Sequence, residues 1–114
     1  MFIIDKTGKM TLTRGDTAEF SIELCNEDGS PFEPSPEDIV LFSIKRNLNA
    51  EKSIIEKQGL LIKIDSADTQ TLPVATYYYD VKVLFGNGDV QTVIPSNLFE
   101  LKYNVGDWDG TEEI

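Results

Sequence analysis

The side chains that most often carry chemistry near neutral pH are scarce in this sequence. Histidine is absent, and Cys25 is the single cysteine. Their scarcity removes imidazole acid–base catalysis, Cys–His nucleophile pairs and the usual zinc sites together. Cys25 stands on the opposite parity to the apolar positions Phe20, Ile22 and Leu24. With no positive charge near it in sequence, it reads as an inert thiol at a strand end, and one cysteine cannot staple its own chain. Asp107-Trp108-Asp109-Gly110, followed by Glu112 and Glu113, looks like the opening of a calcium loop. It lacks a further ligand at the right spacing before the glycine, so Asp107, Asp109 and Glu112 are only weak metal candidates and no cofactor is expected. Arg14-Gly15-Asp16 spells the tripeptide that integrins read on exposed loops, but Gly-Asp between two strands is ordinary turn chemistry. In Tyr77-Tyr78-Tyr79, alternation sends Tyr77 and Tyr79 to the core and Tyr78 to the opposite face with Asp80 and Lys82. Large aromatics in wet positions anchor contacts, which makes Tyr78 and Trp108 candidates for a partner surface. No nucleophile–base grouping, phosphate-cradling glycine loop or basic stripe is present, and the expectation is a protein that is not an enzyme.

The elements that must hold these residues are strands. Ala75 to Pro95 has alternating runs on either side of Asn87-Gly88, a pair suited to a two-residue type I′ turn. With Gly86 opposite Asp89, this predicts the pairs Phe85/Val90, Val83/Thr92 and Val81/Ile94 on one face, and Leu84/Gln91 and Lys82/Val93 on the other. Leu84 therefore joins Tyr78 and Lys82 as a candidate contact residue. Such a hairpin is marginal alone, so other strands must cover its apolar face.

Several further segments alternate. Residues 2–4 form a short strand or an arm, Met10 to Thr13 leads to the Arg14-Gly15-Asp16 turn, and Ala18, Phe20, Ile22 and Leu24 mark a half-buried strand. Asn26 to Ser30 is a turn. Pro31, Pro34 and Pro36 then impose an extended crossing, with Phe32 plugging the edge of the core. Ile39 to Lys45 places Val40, Phe42 and Ile44 inside, while Ile39 and Leu41 on its other face indicate partial cover there. Leu48 to Lys52 reads as a helical turn, Ser53 to Lys57 as a short strand, and Gly59 opens a strand with Leu60, Ile62 and Ile64 on one side. Ser66 to Thr69 is a single helical turn beginning with a capping residue. A closing strand carries Phe99, Leu101 and Tyr103 on one face. About seven to nine short strands with turns between them predict an all-β fold, a sandwich of two antiparallel sheets. The domain is expected over 10–105, after an arm or short strand at 1–9 and before an acidic tail at 106–114.

Composition limits the partners. The chain has 114 residues, with 20 acidic against 10 basic side chains and a net charge of −10. That balance repels phosphate backbones and anionic membranes, so neither nucleic acid nor membrane is an expected partner. No signal-peptide core or bilayer-length apolar run is present, which predicts synthesis in the cytoplasm.

Two blocks carry a family resemblance. Thr11-Leu12-Thr13-Arg14-Gly15-Asp16-Thr17-Ala18-Glu19-Phe20 is similar to the opening of small immunoglobulin-like domains in tail and baseplate proteins of phages infecting Gram-positive bacteria. Asp68-Thr69, Leu72-Pro73, Ala75 to Val81 and Gly88 to Pro95 resemble the ending of the same domains, with Ala75 where relatives often carry glycine. The resemblance implies an immunoglobulin-like sandwich and a structural module of a phage or prophage virion that binds protein partners, including further copies of itself. It offers no catalytic residues. A carbohydrate- or calcium-dependent adhesion module is the alternative expectation, resting on Tyr78, Trp108 and the acidic tail.

Overall fold

The computed structural model describes residues 1–103. The chain forms β1 (Phe2–Ile4), β2 (Met10–Thr13), β3 (Ala18–Ser21), β4 (Ile39–Lys45), β5 (Ile55–Gln58), β6 (Leu61–Ile64), the single helical turn α1 (Ser66–Thr69), β7 (Thr76–Leu84) and β8 (Val90–Lys102). The fold is mostly β, as the alternating pattern predicts. Six strands form one sheet in the order β1-β2-β8-β7-β4-β5, and β3 and β6 form a second, two-stranded sheet.

The expected all-antiparallel pairing is corrected by one contact. β2 runs parallel to the last third of β8, with Met10 opposite Phe99 and Thr13 opposite Lys102, so the large sheet is mixed. Alternation shows that a segment is a strand but says nothing about the direction of a neighbour about 90 residues away. β1 resolves as a strand rather than an arm, pairing antiparallel with β2.

The core lies between the two sheets. Leu12, Phe42, Ile62, Ile64 and Val83 are each fully buried, and Tyr77, Tyr79, Val81, Phe99 and Leu101 join them. Phe42 links the layers by meeting Phe20 edge-on at 5.3 Å between ring centroids, and packs against Tyr79 of its own sheet at 5.6 Å. β3 ends earlier than its apolar pattern, although Ile22 and Leu24 continue into the core. Phe32, carried in by the proline-rich crossing, packs against the core and meets Phe85 at 6.2 Å. Cys25 is exposed.

The β7–β8 hairpin differs from the expected register near its tip. The loop has three residues, Gly86 to Gly88, closed by the Phe85 N–H donating to Asp89 O at 2.8 Å. Gly88 takes the positive φ of 95°, and Asn87 Oδ1 accepts the Asp89 N–H at 2.9 Å. A three-residue loop ending in a left-handed glycine serves a hairpin as well as a two-residue one. Consequently Leu84 pairs with Val90, Lys82 with Thr92 and Val83 with Gln91, not with Gln91, Val93 and Thr92. The ladder is irregular between Tyr79 and Lys82, and the expected Val81/Ile94 pair holds. Pro95 falls within that irregular stretch, where a missing N–H is tolerated, so β8 continues through it as one strand instead of two.

Smaller departures follow from local chemistry. Asp65, not Ser66, is the capping residue of α1, its N–H donating to Asp68 Oδ2 at 2.7 Å. Tyr103 lies just past β8 and is 59% exposed instead of continuing the inner face. Ile39 and Leu60, expected to be covered, are also exposed.

Candidate functional site

Most of the apolar residues of β4 and β7 are spent on the inner face, so the opposite face of the same strands shows what remains for a partner. Strand geometry puts Tyr78, Lys82 and Leu84 together on this outer face of β7, as their parity predicts; all three are half-buried. They do not converge. Tyr78 and Leu84 are separated by about 20 Å along the strand at ~3.3 Å per residue, and each belongs to a different local group.

Leu84 is the centre of an apolar row that crosses three strands. Ile39 stands opposite it on β4 and Val90 opposite it on β8. Ile39 is 41% and Val90 62% exposed, so Val90 stands largely in water and Ile39 partly. In the next row Leu41 faces Lys82, and Lys82 faces Thr92. Cross-strand neighbours on one face approach to roughly 5 Å, which makes Ile39, Leu84 and Val90 a continuous apolar surface. The expected cover over Ile39 is absent among the described residues.

Tyr78 forms the second group. Lys45 stands opposite it on β4 and Leu98 on β8, and the irregular stretch of the β7–β8 ladder opens a pocket of about 290 Å³ beside it. Ser43, Asn47, Leu48, Asp80 and Pro95 contribute to its wall. Between the two groups Asp80 and Lys82 approach to 4.0 Å. Toward the β2 side of this face Lys9 Nζ meets Glu100 Oε2 at 2.8 Å, with Lys102 3.7 Å from the other oxygen. The Lys9 hydrogen bond holds the Glu100 carboxyl below its ordinary range, and Glu100 in turn pushes the Lys9 ammonium up. The face therefore offers apolar contact at one corner, an aromatic pocket further along, and fixed charges between and beyond them.

The Arg14-Gly15-Asp16 tripeptide is engaged by its own fold. Gly15, at φ 86°, donates its N–H to the buried Thr69 Oγ1 at 2.9 Å. The Arg14 guanidinium lies 5.0 Å above the Tyr103 ring and 3.4 Å from Leu72 O. Asp16 takes the Met1 ammonium. Trp108, Asp107, Asp109 and Glu112 lie outside the described residues. Ile39 was expected on this face of β4 under partial cover, whereas Val90 was expected on the inner face opposite Phe85. The missed signal is the hairpin register, since the three-residue loop brings Val90 beside Leu84.

No helix among the described residues is long and apolar enough to cross a membrane. No family model and no curated protein matches this chain.

Proposed function

We propose that this chain is a non-enzymatic interaction module with an immunoglobulin-like sandwich, acting in protein–protein assembly within a phage or prophage tail or baseplate. The observation that carries the interaction reading is the partly water-exposed apolar row Ile39–Leu84–Val90, which crosses three paired strands of one sheet. A contiguous apolar surface on a charged protein is characteristic of a contact site.

Strand order supports the immunoglobulin-like reading. β8-β7-β4-β5 follows the G-F-C-C′ order of a variable-type sheet, and the β3–β6 pair corresponds to B and E of the facing sheet. The Tyr77 hydroxyl donates to Pro73 O at 2.5 Å, four residues upstream and just before the strand in the F position. This is the arrangement of the tyrosine corner found in such sandwiches. The tail or baseplate assignment rests on the similarity of residues 11–20 and 68–95 to domains of those assemblies.

The test is co-expression with the products of the neighbouring genes, followed by size exclusion with light scattering. The expected result is a defined complex that Leu84→Asp disrupts while leaving the melting temperature within a few degrees. A chain that stays monomeric at all concentrations and binds none of those proteins would overturn the reading.

A further inference from the structure

The two sheets do not close on one side, and the open side is lined by strand edges that lack partners. β8 pairs with β7 along its length, but β2 covers its other edge only from Phe99 onward. The Phe85–Asp89 bond fixes the phase of that ladder, so Val90 and Thr92 turn their backbone groups away from β7. Across the opening, the Ile22 N–H donates to Leu60 O at 2.7 Å. The same phase rule leaves Ser21 and Glu23 with backbone groups directed away from β6. Among the described residues no backbone hydrogen bond reaches those two edges.

Two adjoining cavities, of about 550 Å³ and 440 Å³, fill the space between the edges and share Glu23 and Ile94. Val83, Phe85 and Ile94 form part of their floor, with Phe32 and Leu24 on the opposite wall. The charged residues lining them are Glu23 and Glu27; neither cavity is lined by Lys or Arg.

We infer that this groove accepts one extended segment of a partner protein as an added β-strand, alternately apolar and basic. The free N–H and C=O groups of Val90 and Thr92, and of Ser21 and Glu23, supply ladder bonds. The apolar floor takes every second side chain, and the carboxylates at the lip select lysine or arginine between them. Charge decides among the occupants. A second copy of a chain with net charge −10, or the acidic sequence of residues 104–114, would bring like charge to an acidic lip. The inference rests on the reading of the domain as an interaction module, but it concerns the sheet edge instead of the outer face, and shares with the Ile39–Leu84–Val90 row only the backbone of Val90.

The probe is a capped octapeptide of alternating lysine and valine, titrated into the full chain by calorimetry and followed by amide hydrogen exchange. The expected dissociation constant is on the order of 10⁻⁵–10⁻⁴ M, with slowed exchange at Val90, Thr92, Ser21 and Glu23. Replacing the lysines by glutamate, or methylating alternate backbone nitrogens, weakens binding by about tenfold or more. Glu23→Lys, at an exposed side chain, weakens it likewise, whereas Leu84→Asp leaves it unchanged. Loss of the tail complex with retained peptide binding, or the reverse, separates the two surfaces. Equal affinity for the glutamate peptide, protection confined to the outer face, no binding at about 2 mM, or self-association that protects Val90 and Thr92 without peptide would each overturn the inference.

Discussion

Aspartate placed at Val83 and at Leu84, adjacent residues on opposite faces of β7, has opposite expected consequences. Val83 is 0% exposed and sits directly opposite Val40. Removing its side chain from apolar contact forfeits about 1.5–3 kcal/mol, and an ionised carboxylate there adds a desolvation cost of several kcal/mol. The combined loss of roughly 4–7 kcal/mol compares with a total stability of about 5–15 kcal/mol for a domain. At ~4 °C or more per kcal/mol for a chain of this size, Val83→Asp should melt at least ~15 °C below the parent at pH 7, or not fold. Burial raises the folded-state pKa of the introduced carboxyl above its unfolded value of about 4. The electrostatic part of the loss is therefore absent below about pH 4 and develops as pH rises through the folded pKa. Leu84→Asp, on the half-buried outer face, should cost about 1 kcal/mol. Thermal unfolding by circular dichroism at pH 4 and pH 7 measures both. A Val83→Asp variant melting within a few degrees of the parent at pH 7, or a Leu84→Asp variant equally damaged, would refute the assignment of faces.

Tyr77→Phe removes the hydroxyl that donates to Pro73 O and should lower stability by about 1–2 kcal/mol in urea titration, with little change in slope. Asp38→Asn probes the tie between the proline-rich crossing and the hairpin tip, where the carboxylate accepts the Ser35 N–H at 2.9 Å and the Gly86 N–H at 3.0 Å. Those bonds hold the Asp38 carboxyl below its ordinary value, so its contribution is present above the unfolded pKa of about 4 and lost as pH falls through the folded one. The parent should exceed the variant in urea midpoint at pH 7, with the gap closing under acid; a gap independent of pH would contradict this. Tyr79 is pushed up by burial, and its hydroxyl donates to Gly8 O. Alkaline unfolding should therefore begin as pH rises above about 10, where the unfolded phenol ionises first, and Tyr79→Phe should shift that onset.

What the sequence made legible was the alternation of single strands. Val40, Phe42 and Ile44, Ile62 and Ile64, and Phe99 and Leu101 all face inward as their parity predicts. Turn composition was less decisive, because Gly86-Asn87-Gly88 holds residues for either a two- or a three-residue loop and only packing chooses between them. That one residue moved Val90 beside Leu84 and hid the apolar row from a reading based on the shorter turn. Pro95 marked a break by local rules, yet the irregular ladder absorbs it. The candidate surface was thus half visible: Tyr78, Lys82 and Leu84 on β7 and Ile39 on β4 by parity, Val90 and the joining of the row only through register. The groove was not visible at all, since it is made by what β2 and β3 leave unpaired.

The parallel join of β2 to β8 also governs the order in which the domain can be made. Its partners, Met10 with Phe99 and Leu12 with Leu101, are 89 residues apart in the chain. During vectorial synthesis β1 and β2 emerge first but can dock on the large sheet only after β8 has left the ribosome. β3 and β6 can pair much earlier. Closure of so long a loop is slow relative to local pairing. Until it happens, the nascent chain exposes Leu12 and the unpaired edges of β2 and β7, making the final strand the step at which a folding factor, or an aggregation partner, competes.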